Sequence, residues 1–338
     1  MKYLKCKNIL FQSTQPHRNH GWQARRWPEL LRRLLGRLMQ PTQFLPSSTQ
    51  NSSIPQQQEQ QQQHEPYLVN AVQGLAKPEY RGQLQPLHRF GEDSWFVSST
   101  PAADVLGVAD GVGSWKQMGV DAGLFAKELM YWCASNAALP QFDARKPRDL
   151  LIQSYVQLCQ QARPVPGSST ACLLSLHRRD CALYTANLGD SGFLVMRYGK
   201  ILHRSVEQLH TFNTPYQLTL APDGQRATVH CDLPQMAACT RLPLQQGDLV
   251  LLATDGLFDN VPESMLVRMM ADYQGVTDSG RLQLGANMLV SMARDLSQSA
   301  YFQSPFAQKA RANNMMYMGG GKPDDITVIL ASVAVRKG

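Results

Sequence analysis

Nowhere in the 338 residues is there a run of about 18 consecutive apolar side chains, the length a helix needs to cross a bilayer. The N-terminus also lacks the apolar core of a secretory signal. Cysteine is sparse and odd in number, seven in all, with no C-x-x-C pair to hold zinc or run a redox cycle. These absences predict a soluble intracellular chain with reduced thiols and no stable membrane insertion. Acidic residues are nearly missing from one end: residues 1–40 hold nine Lys or Arg and a single acid, Glu29, whereas the rest holds 24 basic and 25 acidic residues. The net charge of +7 therefore belongs to the leader. It does not signal a nucleic-acid-binding body, and no reader module accompanies it.

Within that leader Leu30, Leu31, Leu34, Leu35 and Leu38 recur at helical spacing among Arg25, Arg26, Arg32, Arg33 and Arg37. A basic amphipathic segment poor in acids has the composition of a mitochondrial transit peptide, which predicts delivery to the matrix. A surface helix or membrane-touching arm is the plainer alternative. Residues 41–65 carry nine Gln, several Ser and three Pro. They offer too little apolar surface to offset the entropy of ordering, so a disordered linker is expected over 41–74. The remaining residues, 75–338, then form the folded domain.

Beyond residue 75 short β-rich runs alternate with a few helical patterns, which fits one α+β domain. Strands are expected at 94–98, 105–109, 170–176, 182–187, 193–197, 200–204, 228–232, 248–254 and 326–335. Helices are expected at 121–138, 148–162 and 282–296, where apolar residues recur every three or four positions as core packing.

The acids fall at strand ends. Asp110 ends VLGVA, Asp255 ends DLVLLAT, and Asp324 with Asp325 opens ITVILASV. Asp110 and Asp255 are each followed by Gly, which lets backbone approach a ligand closely. One Asp-Gly marks a turn. Two after buried strands, with an Asp-Asp before a third, suit a hard divalent cation such as Mg²⁺ or Mn²⁺, which takes oxygen ligands. Glu92-Asp93 before SWFVSS and Asp190 in NLGDSG read equally well as turn or cap residues and as site acids.

Taken in order, GEDSWFVSS, ADVLGVADGVGSW, GSSTACLLSL, TANLGDSGFLV, LLATDGLFDNV and KPDDITVILASV resemble the type 2C family of metal-dependent serine/threonine protein phosphatases over roughly residues 75–335. FNTP at 212–215, SPFAQ at 304–308 and GGKPDDIT resemble its mitochondrial-matrix branch. The resemblance implies two antiparallel β-sheets packed as a sandwich and flanked by helices, with two Mn²⁺ or Mg²⁺ ions at one end. By position, Asp110 would bridge both ions, the Gly111 carbonyl would bind one, and Asp255 with Asp324 the other. Glu92 lies near the second metal, and Asp93 acts through a metal-bound water. Asp190 with Asp255 matches a third, weaker metal site. The implied substrates are phosphorylated proteins, attacked in line by a metal-activated hydroxide without a phosphoenzyme, by a monomeric enzyme.

Two departures stand out. Val112 occupies the place of a histidine proposed elsewhere in the family as general acid. The phosphate-binding arginine four residues before the matched Glu is His88 here, so Arg89 is the candidate in its stead. A pseudophosphatase, binding phosphoproteins or metals without turnover, is the alternative those departures raise. Cys172 and Arg178 satisfy the C-x₅-R spacing of cysteine phosphatases, but the intervening LLSLH has no Gly and reads as buried strand, so that chemistry is rejected. The hydroxyls of Ser168, Ser169 and Thr170 are expected to serve a turn.

Overall fold

The computed structural model describes residues 65–78, 89–222 and 230–336. The leader and residues 41–64 of the expected linker lie outside them. Two five-stranded antiparallel sheets stack face to face. The first runs β1 (Glu65–Leu75), β14 (Ile326–Arg336), β13 (Leu249–Ala253), β7 (Gly192–Arg197) and β8 (Lys200–Arg204). The second runs β12 (Ala238–Pro243), β6 (Ala182–Leu188), β5 (Ala171–His177), β3 (Ala103–Asp110) and β2 (Asp93–Ser99). Short ladders pair β4 (Gly167–Ser169) with β11 (Leu218–Leu220), and β9 (Leu209–Thr211) with β10 (Thr214–Pro215).

Helices cover the outer faces. Against the second sheet lie α1 (Ala122–Ala137) and α2 (Pro147–Cys159). The four-residue α3 (Asp255–Phe258), α4 (Glu263–Met270) and α5 (Ser279–Ser297) pack on the first sheet, and α6 (Pro305–Ala312) follows, capped by Ser304. Among the described residues no helix is long and apolar enough to cross a membrane.

The layering explains the apolar runs. Along β3, Leu106 and Val108 enter the core between the sheets, while Val105 and Ala109 enter the core beneath α1 and α2. Successive side chains point to opposite faces, so a strand covered on both faces reads as unbroken hydrophobic sequence rather than as alternation.

Three expectations need correction. The folded domain includes residues 65–74, expected as part of the linker, because Glu65–Leu75 pairs with β14 along its whole length. A buried ion pair ties this strand to the opposite sheet: Arg178 Nη2 donates to Asp104 Oδ1 (2.9 Å) and Arg178 Nη1 to the Pro66 carbonyl (2.9 Å), while the Leu68 amide donates to Asp104 Oδ2 (2.8 Å). The strand expected at 228–232 is absent at 230–232, with 228 and 229 outside the described residues. There Asp232 is tied to Gln217 instead, its side chain accepting from the Gln217 amide (2.9 Å) and its amide donating to the Gln217 carbonyl (2.9 Å). Finally, Ser168–Thr170 form strand and ladder contacts rather than a turn. Trp115 Nε1 donates to Ser168 Oγ (2.6 Å), which donates to Gln217 Oε1 (2.5 Å).

Candidate metal centre

Antiparallel pairing brings the acids to one end of the sandwich. Asp93 begins β2 and pairs directly with Asp110, the last residue of β3. Asp255 follows β13, Asp324 and Asp325 precede β14, and Asp190 lies in the connection between β6 and β7. Asp93, Asp190, Asp255 and Asp325 are buried or nearly so, as is Glu92.

Backbone and hydroxyl groups hold several of these acids in place. Thr254 Oγ1 donates to Asp93 Oδ2 (2.8 Å) and accepts from the Thr327 amide (3.0 Å), linking β13, β14 and β2 beside the site. The Asp110 amide donates to Thr170 Oγ1 (3.1 Å), which also meets Ser191 Oγ (2.7 Å). Asp325 is a clamp: Oδ1 accepts the Lys77 amide (2.8 Å) and Oδ2 the Glu92 amide (2.9 Å). Gly91 has φ +63°, and a Cβ on it would lie 1.9 Å from Asp325 Oδ1. Gly111 is equally constrained, since a Cβ would come within 2.7 Å of the carbonyl oxygens of Ala122 and Glu92. Glycine at these positions is what allows the carboxylates to converge.

The electrostatics are those of a site short of positive charge. Burial pushes the Asp110 carboxyl well above the usual range, and the charges of Asp255, Asp93 and Asp324 push it further. Asp93 is raised by burial and then by Asp325. Asp190 is raised by burial and then by Asp255, and Asp324 by the same two causes to about 7. Asp255 goes the other way: burial acts against its ionisation, but the Lys322 ammonium and other donors outweigh it. Like charges crowded in a dry site cannot all ionise unless cations join them.

Two ammonium groups already sit among these acids. Lys77 Nζ lies 2.6 Å from Glu92 Oε2 and 3.6 Å from Asp325 Oδ2. Lys322 Nζ bonds Asp255 Oδ2 closely, with Asp259 Oδ2 at 2.9 Å and Asp324 Oδ2 at 3.2 Å. Among the described residues no three His, Cys, Asp or Glu side chains stand preassembled as a metal cage. The donor set nonetheless fits Mn²⁺ or Mg²⁺. It is all oxygen, and three buried carboxylate oxygens, Asp93 Oδ1, Asp190 Oδ1 and Asp255 Oδ1, have no hydrogen-bond partner. Buried acceptors left this way cost stability unless a ligand completes them.

The scan of known families matches Protein phosphatase 2C over residues 88–294. The chain belongs to the protein phosphatase 2C family. Its similar relatives include the Drosophila willistoni protein phosphatase PTC7 homolog fig, 61% identical over 271 residues, covering 80% of this chain and 86% of the relative. The Drosophila melanogaster PTC7 homolog fig is 55% identical over 314 residues, 92% of this chain and 98% of the relative. Among solved structures, the photosystem II phosphatase PBCP superposes with TM-score 0.66 at 27% identity, covering 79% of this chain and 99% of that one. The catalytic domain of the serine/threonine phosphatase PstP, solved with two manganese ions, superposes at TM-score 0.50 and 17% identity over 80% of this chain and 99% of that one. At that distance it shows the fold alone.

Of the site residues expected in this phosphatase, Glu92, Asp93, Asp110, Gly111, Asp190, Asp255 and Asp324 are brought together. Arg89 is not among their partners. Its guanidinium donates to Gln73 Oε1 (2.5 Å) and lies over the Phe90 ring. Lys77, Asp259 and Lys322 are the residues that sequence reasoning missed, while Asp325, singled out with Asp324, was given no role of its own and proves to be the clamp. Asp259 stands four residues after Asp255, one helical turn on, and Lys322 stands two before Asp324. Those spacings were the available signal; Lys77 has none. Cys172 is fully buried in β5 with its thiol pushed up by burial, and Arg178 is committed to Asp104. Both observations agree with rejecting cysteine chemistry.

Proposed function

We propose that this member of the family removes phosphate from phosphoserine and phosphothreonine in protein substrates, with two Mn²⁺ or Mg²⁺ ions held by Asp110, the Gly111 carbonyl, Asp255 and Asp324, and with Glu92 beside them. The observation that carries the reading is the convergence of these acids from four strand ends, with unpartnered carboxylate oxygens left in a buried site. Such ions supply neutralisation of the phosphate dianion and a nucleophilic hydroxide at neutral pH.

The chain's own groups divide the remaining work. Asp93, held through Oδ2 by Thr254, keeps Oδ1 available to accept a proton from water. Lys77, whose ammonium lies 2.6 Å from Glu92 Oε2 and 3.6 Å from Asp325 Oδ2, is the cation set among the acids and is assigned the phosphate-orienting role first expected of Arg89. Val112 has no ionisable proton, so protonation of the leaving serine oxygen falls to water or to another residue. Losing a general acid costs a factor of about 10² to 10⁴ and leaves turnover. The complete acid set therefore favours an enzyme over a pseudophosphatase.

The basic leader is read as a matrix-targeting peptide. Fusion of residues 1–40 to a reporter should give a cleaved, mitochondrial product; an uncleaved cytosolic one overturns that part alone. The activity is tested on phosphoserine, phosphothreonine and phosphotyrosine peptides of one sequence with saturating Mn²⁺. Hydrolysis of the first two at rates well above the third is expected, and hydrolysis of none of them overturns the reading.

A further inference from the structure

Between α6 and Lys322 the chain reads NNMMYMGGG, an unusual density of methionine for a surface connection. Met316 is 95% exposed and Met318 89%, and Tyr301, from the segment before α6, is 93% exposed. Single exposed apolar side chains are ordinary. A group of large ones beside a reactive centre is a different matter, since apolar patches of that kind mark where another molecule sits.

The backbone beneath these side chains is pinned. The Met315 amide donates to the Ala310 carbonyl (2.9 Å), and Tyr317 Oη donates to the Gly321 carbonyl (2.5 Å). The Gly321 amide donates to the Ser299 carbonyl (2.9 Å) and the Ser304 amide to the Gly320 carbonyl (3.3 Å), so residues 299–304 run beside 320 and 321. The approach is close enough that a Cβ on Gly320 would come 2.3 Å from the Ser299 carbonyl oxygen. Tyr301 is thereby held next to the segment that carries Met316 and Met318. Between the two methionines, Tyr317 packs its ring edge-on against Phe306, with centroids 5.0 Å apart. The Phe306 ring in turn lies 5.1 Å from the Lys322 ammonium, among the acids of the metal centre.

We propose that Tyr301, Met316 and Met318 form an apolar lip of the catalytic mouth, which binds a large apolar side chain of the phosphoprotein substrate close in sequence to the phosphorylated serine or threonine. This rests on the phosphatase reading above. Continuity with the acids identifies the occupant: the methionine segment runs straight into Lys322 and Asp324, and the Phe306 and Tyr317 rings bridge the ammonium to the lip. Those two steps put the Tyr317 ring within about 10 Å of the ammonium. An extended peptide advances about 3.3 Å per residue, so the lip meets a side chain about two to four residues from the phosphate. Methionine is flexible and polarizable, which suits a surface that accepts apolar side chains of differing shape. The pinned backbone keeps the ordering cost of binding low. A membrane or a second copy of the chain seated on the same lip would crowd the mouth that substrate must enter.

The test is a set of phosphoserine peptides in which a single leucine is moved through the flanking positions of an otherwise polar sequence, hydrolysed by the full chain in saturating Mn²⁺. Leucine about two to four residues from the phosphoserine, on one side of it, should lower KM roughly tenfold relative to glutamine there, with kcat little changed. The triple variant Tyr301→Ser, Met316→Ser, Met318→Ser should lose that preference. It should hydrolyse the all-polar peptide and p-nitrophenyl phosphate as wild type does, and Met316→Leu with Met318→Leu should keep the preference. A wild-type scan that is flat overturns the inference, whether the patch then proves to pair two chains in sedimentation or to bind phosphatidylcholine–cardiolipin vesicles. A preference that survives in the triple variant overturns it as well. Wild type that hydrolyses p-nitrophenyl phosphate but none of the peptides overturns the protein-substrate reading and this inference with it, a result distinct from a flat scan.

Discussion

Replacing Asp110 with asparagine preserves shape and removes one charge from a site that has too many of one sign. In the metal-free protein Asp110 is buried, and Asp255, Asp93 and Asp324 all oppose its ionisation. Its folded-state pKa is therefore above its unfolded value. The stability it allows is fully present below about pH 4 and is lost as pH rises toward the folded value. Asparagine has no such cost, so the variant's advantage without metal should be near zero at pH 4–5 and grow with pH, reaching about 1–3 kcal/mol at pH 8. For a domain of this size that is roughly 2–12 °C in Tm at 2–4 °C per kcal/mol.

Metal reverses the order. Each ion present at a hundred times its Kd adds about 2.7 kcal/mol, so two ions raise the wild-type Tm by roughly 10–20 °C. Asp110→Asn, lacking the carboxylate placed between the ions, should move by less than about 2 °C on the same scale. Differential scanning calorimetry of both proteins at pH 5 and pH 8, in chelator and in Mn²⁺, reads all four values. A variant that melts below wild type in chelator at pH 8, or that gains as much from Mn²⁺ as wild type does, refutes the reasoning.

Three further outcomes are expected. Lys77→Ala removes a charge-assisted contact worth about 1.5–3 kcal/mol, so kcat/KM on a phosphopeptide should fall roughly 10–100-fold while Arg89→Ala changes it less than about threefold; steady-state kinetics in saturating Mn²⁺ give both, and the reverse order returns the role to Arg89. Asp324, pushed up to about 7 by burial and Asp255, holds its proton in the metal-free protein below that pH, so Mn²⁺ binding should release protons at pH 6 and far fewer at pH 8.5. Calorimetry in buffers of different ionisation enthalpy measures this, and equal release at both pH values contradicts it. Gly256→Ala would bring a Cβ to 2.0 Å from the Asp325 carbonyl oxygen. It should cost about 1–3 kcal/mol by chemical denaturation and weaken Mn²⁺ binding together, because that carbonyl belongs to the segment holding Asp324.

The core strands and the long helices were legible because each satisfies a short-range rule. Asp121 caps α1 through the Gly123 amide and Asp278 caps α5 through the Arg281 amide, and apolar periodicity fills the turns that follow. The acids were legible for a related reason: a carboxylate ending a buried strand conflicts with its surroundings unless a ligand answers it. What escaped notice was set by pairing at a distance. Residues 65–75 become strand because β14, some 250 residues later, offers an edge and Asp104 with Arg178 meets its backbone; beside a Gln-rich tract nothing local announces this. Lys77 and Lys322 escaped in the same way. Lys77 carries no pattern, the place of Lys322 two residues before Asp324 is a faint one, and only the fold shows that these two ammonium groups point into the acids rather than into water.

The most direct measurement is phosphoserine-peptide turnover by the full chain, first exhaustively chelated and then titrated with Mn²⁺ while bound metal is counted in the same samples. Turnover should be absent in chelator, appear only as the second ion binds, and remain absent at every metal concentration in Asp255→Asn. Undiminished turnover in chelator, or full turnover in Asp255→Asn, would contradict the assignment of these acids as the seat of a metal-dependent phosphatase.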